Sequence, residues 1–165
     1  MVLKESTRKY ILIGIVLLIV IGLVSAKVMG KKQDEEFSMD DALYQQVQTL
    51  YEQQKFEEAK TYSDELLKRQ PNSEVVNYMG GLVAANVGEM EQAAILLQKT
   101  LDINPHKVED PMFMLQFGQV LVSAERYADA QTVLVRCRDM GWAPAETPTY
   151  QETVAQLLTQ VEANL

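Results

Sequence analysis

The chain repeats itself. Phe56-Glu57-Glu58-Ala59 returns 34 residues later as Met90-Glu91-Gln92-Ala93, Leu67 returns as Leu101, and Pro71 returns as Pro105. A third copy follows after three extra residues near His106–Asp110. It carries Tyr127-Ala128-Asp129-Ala130, with Phe117-Gly118 before it and Leu134 and Cys137 after it. A period of this length is one supersecondary unit that cannot bury its own apolar face, so the units must stack side by side. That requirement limits the fold more than any other feature of the chain.

Each unit reads as two helices. Apolar residues recur at helical spacing over Asp41–Gln53 and Phe56–Lys68, and again over Glu74–Val87 and Met90–Leu101. Counted from Asp40, Glu74 and Pro111, the twentieth residue of every unit is alanine: Ala59, Ala93 and Ala130. A small side chain fits where two antiparallel helices cross closely. The eighth residue is Val47, Gly81 and Gly118. A mid-helix glycine costs about 1 kcal/mol of helix propensity relative to alanine, so Gly81 and Gly118 imply close approach from the opposing helix. Pro71 and Pro105 end the second helix of their units, because the residue before a proline is pushed out of the α region.

This register of alanines, aromatics (Phe56 and Tyr127, with Met90 between them) and prolines resembles the tetratricopeptide repeat family over about residues 40–144. Some positions depart from the family pattern. Leu43, Asn77 and Met114 stand where tryptophan is usual, Leu66, Thr100 and Cys137 replace a small residue, and Trp142 replaces the third proline. The resemblance implies an all-α solenoid of three helix pairs, with repeats at about 40–73, 74–110 and 111–144. It also implies a concave wall built mainly from the first helix of each pair. Carried over residue by residue, the partner-binding positions of that wall are Tyr44, Gln48 and Tyr51, then Tyr78, Leu82 and Asn86, then Met112, Leu115 and Gln119. Lys and Arg are missing from the wall positions, so a clamp for a terminal carboxylate is not expected. Aromatic and amide side chains suit a neutral, apolar or basic peptide segment.

The exposed end of such a stack needs a cover. Thr147-Pro148 offers an N-cap followed by proline at the first helical position, so a capping helix is expected over 148–164. Its apolar stripe is Tyr150, Val154, Leu157, Leu158 and Val161. Trp142, in the turn before it, reads as a packing plug, and Cys137 as a buried small hydrophobe.

Ahead of the repeats stands an apolar run, Tyr10–Ala26, bracketed by Lys9 and Lys27. Extended to residue 30 it reaches about 20 residues, enough to cross a hydrocarbon core of roughly 30 Å. We expect a basic tail (1–9), a single membrane anchor (10–30), a charged linker (31–39) and a repeat domain (40–165). Cleavage near Ala26 as a signal peptide is the alternative, since Val24-Ser25-Ala26 has small residues at the right place. A short basic tail ordinarily stays in the cytoplasm, which puts the repeat domain outside it.

Charge narrows the function. Residues 1–33 hold six basic residues and one acidic, a net of +5; the remaining nine basic and 22 acidic residues give −13. A domain that anionic repels phosphate backbones, so no nucleic-acid partner is expected. With one histidine, His106, and one cysteine, a His/Cys zinc site or a nucleophile–His set has very little to work with, and no Gly-rich phosphate loop or metal-ligand spacing occurs in the sequence. The expected function is a membrane-tethered scaffold or assembly factor that holds a protein or peptide in its concave groove, without enzymatic activity or cofactor. A permanent structural subunit of a membrane complex is the alternative, and homo-oligomerisation is left open.

Overall fold

The computed structural model describes residue 27 and residues 38–165. The expected tail, nearly all of the expected anchor at 10–30 and most of the linker lie outside the described residues. Among the described residues no helix is long and apolar enough to cross a membrane. The chain divides into two compact units, Met1–Ala42 and Leu43–Leu165. In the first, Lys27 and residues 38–42 are helical, so the helix already includes 38 and 39, which were expected in the linker.

The second unit is all-α among its described residues. Its elements are α1 (43–52), α2 (Phe56–Arg69), α3 (Glu74–Asn86), α4 (Met90–Ile103), α5 (Pro111–Ser123), α6 (Tyr127–Asp139) and α7 (Tyr150–Glu162). A single 3-10 turn, Pro105–Glu109, takes up the three extra residues. Consecutive helices pack on one another, and α7 also lies against α5, which is the order of a solenoid closed by a final helix.

The helix starts are encoded locally. Asp110 caps α5, its Oδ1 accepting from the N–H groups of Met112 and Phe113 at 3.1 Å each, with Pro111 at the first helical position. Ser73 caps α3 by accepting from Val76 N–H. In α2 the acidic Glu57 and Glu58 open the helix and the basic Lys68 and Arg69 close it, in line with the helix dipole. One expectation fails here. Pro148 lies in a turn, α7 starts at Tyr150, and the Thr147 hydroxyl donates to Met112 Sδ instead of capping the helix.

The turn inside each pair has one design. The N–H of Lys55, Glu89 and Arg126 bonds the carbonyl five residues back (Leu50, Ala84 and Leu121), each at 2.9 Å. The residue before each of them, Gln54, Gly88 or Glu125, has φ of 59°, 88° or 59°. This is the Schellman closure, and it demands a left-handed residue. Only the middle turn supplies glycine. Gln54 and Glu125 accept a conformation that disfavours side chains by about 1 kcal/mol or more.

The crossings are as tight as the small residues suggested. Ala59, Ala93 and Ala130 are all 0% exposed. A Cβ on Gly118 would fall 2.6 Å from Leu134 Cδ2, and one on Gly81 would fall 2.9 Å from both Leu97 Cγ and Cδ2. Gly80, which the repeat pattern did not flag, plays the same part between units, with Leu67 Cδ1 2.9 Å from its virtual Cβ.

Two stability outcomes follow from these contacts. Gln54→Gly and Glu125→Gly should each raise stability by roughly 0.5–1 kcal/mol in urea unfolding, whereas Gly88→Ala should lower it by about 1 kcal/mol despite its open surroundings. Gly118→Ala, which would stabilise an ordinary helix, should lower it by about 1–3 kcal/mol, because Leu134 must give way. A lower midpoint for the two glycine turn variants, or a higher one for Gly118→Ala, would contradict this account.

Candidate functional site

The first helices α1, α3 and α5 form one wall, and between their C-terminal halves lies a recess of about 290 Å³. Tyr51 from α1, Leu82, Ala85 and Asn86 from α3, and Gln116, Gln119, Val120 and Ser123 from α5 line it, with Met90 at the start of α4. The lining carries no charged side chain. Asn86 is fixed from both sides: its Nδ2 donates to Leu82 O at 2.8 Å and to the Tyr51 hydroxyl at 3.2 Å. The amides of Gln116 and Gln119 add donors and acceptors opposite the apolar Leu82 and Val120, so the surface can hold an apolar side chain and bond the peptide groups flanking it.

Of the nine expected wall residues, Tyr51, Leu82, Asn86 and Gln119 line this recess. Tyr44 and Gln48 are half-buried on α1 and lie outside its lining. Leu115 is only 4% exposed and belongs to the core, which corrects its placement in the groove. Its side of α5 packs into the main core beneath α7, where Tyr150 and Val154 are fully buried. Met112 is held by Thr147 at the foot of the same helix. Ala85, Met90, Gln116, Val120 and Ser123 complete the recess, and the family positions taken over did not include Gln116.

Tyr78, also expected on the wall, lies outside this lining. Its hydroxyl donates to Gln116 Oε1 at 2.6 Å, and its ring packs against Phe113. Lys107, from the extra 3-10 turn, lies with its Nζ 5.3 Å from the Tyr78 ring centroid and 5.8 Å from that of Phe113. The same ammonium pairs with Asp110 at 3.0 Å and Glu74 at 3.6 Å. Burial opposes its charge, but these carboxylates outweigh it and hold the lysine above its ordinary pKa. Burial likewise works to raise the Asp110 carboxyl, but the Phe113 N–H and Lys107 together pull it below its usual value. Tyr78 thus orients Gln116 for the recess, and the insertion locks Tyr78.

Among the described residues no group of three or more His, Cys, Asp and Glu side chains is placed to bind a metal. Cys137 is fully buried, and burial pushes its thiol up, away from the reactive thiolate. Trp142 stacks edge-on against Tyr150 at 6.4 Å, and both backbone carbonyls of that corner, Cys137 O and Trp142 O, accept from Gln151 Nε2.

The sequence profile of a family described as a tetratricopeptide repeat-like domain matches residues 5–148, most of the chain. The chain belongs to the tetratricopeptide repeat-like family. None of the curated proteins matches it in sequence. Solved tetratricopeptide structures share its fold. The translocator chaperone SycD of Yersinia enterocolitica, in complex with a peptide of the translocator YopD, superposes with a TM-score of 0.60 at 15% identity, over 74% of this chain and 92% of SycD. The TPR2B domain of yeast Sti1, in its complex with pHsp70, gives 0.59 at 14% identity, over 76% and 98%. MamA from Desulfovibrio magneticus gives 0.58 at 22% identity, over 76% and 69%. At these identities the likeness is one of fold.

The buried phenols set an alkaline limit. Burial raises the pKa of Tyr150, with the Cys137 thiol beside it adding to the effect, and burial also raises that of Tyr78. Tyrosines in the unfolded chain ionise near pH 10 while these two stay neutral when folded, so their contribution is complete below about pH 10 and is lost as pH rises further. Urea midpoints should therefore be level between about pH 7 and 8, begin to fall as the unfolded Cys137 thiol ionises, and fall more steeply above about 10. Tyr150→Phe should flatten that fall; an unchanged slope would show that the phenol is not the group responsible.

Proposed function

We propose that this protein is a membrane-tethered scaffold whose repeat domain holds a segment of a partner protein in the recess between α1, α3 and α5. The observation that carries the reading is the lining itself: an open, uncharged recess with Leu82 and Val120 set among the amides of Asn86, Gln116 and Gln119, the first two of them fixed by hydrogen bonds. Such a surface binds by excluding water from an apolar side chain and by satisfying the peptide groups beside it. Family membership supports it, as do the peptide-bound SycD and the pHsp70-bound Sti1 domain of the same fold.

The tether is the apolar run at 10–30, and the family match, which begins at residue 5, takes it in together with the repeats. Anchoring keeps the recess close to partners in or at the same membrane and so raises their effective concentration. With Lys4, Arg8 and Lys9 retained in the cytoplasm, the repeat domain faces the other side.

A photo-crosslinking residue tests the groove in intact cells. Placed at Gln119 it should give discrete adducts with a protein partner, and placed at the exposed Gln131 on α6 it should give few or none. Leu82→Arg, which puts a charge into the recess, should cut the Gln119 adducts by about tenfold or more. Equal adducts from both positions, or adducts indifferent to Leu82→Arg, would remove the recess as the binding site.

A further inference from the structure

The recess does not end at its own rim. Met90 and Ser123 line it on one side and on the other side line a second, shallower recess with Lys60, Glu89 and Glu91. The two recesses adjoin at these shared residues, giving a groove with an uncharged part and an acidic part. Lys60 does not make the second part basic. Its ammonium is held by Asp64 at 2.7 Å and by Glu89 at 3.2 Å, so the three groups together leave one negative charge.

Glu91 adds another, and it is the least committed of these carboxylates. Its neighbour Arg126 is engaged by Asp129, which accepts from Nε at 2.9 Å and from Nη2 at 2.6 Å. The remaining Arg126–Glu91 contact is 3.8 Å long, and the Glu91 side chain is 65% exposed. A cation arriving in the second recess would therefore meet an available carboxylate in a repeat domain (40–165) whose nine basic and 19 acidic residues leave a net charge of −10.

Building on the recess reading above, we propose that the groove selects partner segments in which an apolar side chain, seated beside Leu82, is neighboured by a lysine or arginine that reaches Glu91. The apolar anchor supplies most of the affinity. The cation supplies the direction in which the segment lies, because only one end of the groove is acidic, and it excludes segments whose neighbouring residue is acidic.

Binding of labelled peptides to the full chain in neutral detergent micelles decides this, with empty micelles as the blank. Each peptide carries one leucine in a polar background, flanked by lysine, glutamine or glutamate. The lysine peptide should bind roughly fivefold tighter than its glutamine counterpart, with the glutamate peptide weakest, and the difference should shrink as salt is added. Glu91→Gln should cancel most of the lysine advantage and leave the glutamine peptide unchanged; Glu91→Lys should reverse the order. Equal binding of the lysine and glutamate peptides, or a lysine preference that survives Glu91→Lys, overturns the charge selection while leaving the recess in place. No binding by any leucine peptide, or binding unaffected by Leu82→Arg, overturns the recess reading itself and this inference with it.

Discussion

Everything in the domain depends on how closely paired helices approach. The first and second helix of a unit meet where Leu97 lies over Gly81 and where Leu134 lies over Gly118, with the buried Ala93 and Ala130 on the partner helices. Removing a side chain at these points lets the backbones come together, and the leucine then fills the space with dispersion contacts that a wider crossing would lose. Distances set there govern where α1, α3 and α5 stand relative to one another, and hence the width of the recess between them. A methyl group at Gly118 would thus alter the wall as well as the core.

Much of this could be read from the residues. The alanines and glycines in register with Pro71 and Pro105 gave the pairing, the crossing points and the positions of the turns, because a repeated unit states its packing rule more than once. Of the positions taken from the family pattern, Tyr51, Leu82, Asn86 and Gln119 line the recess. Leu115, which the same pattern puts on the wall, is instead 4% exposed and part of the main core. The pattern could not assign Gln116 either, whose position depends on a hydrogen bond from Tyr78, 38 residues away in sequence. Nor do composition and spacing reveal that Lys107, carried by a three-residue insertion, reaches back over an aromatic ring of the preceding unit.

Departures from the family pattern have local explanations of their own. Asn77 stands where a large aromatic is usual, and it is fully buried with its amide donating to Pro71 O at 2.9 Å and Ser73 O at 2.7 Å. It therefore replaces bulk with a pair of bonds that pin the chain between the first and second units. Trp142, in place of a third proline, fills the corner under Tyr150 and lets Gln151 tie off the end of α6.

Among the described residues the apolar interior is shared out unequally. One large cluster joins α3 to α7, whereas the first pair contributes Val47, Leu50 and Ala59 to a small cluster of its own with Val83. In a stacked array each layer is held chiefly by its neighbours, so the layer with least interior opens most readily, and here that is the layer bearing Tyr51. One jamb of the recess is consequently softer than the other two. A guest wedged against Tyr51 and Asn86 would stiffen that terminal layer, so that occupancy should register as slowed amide exchange along α1 and α2.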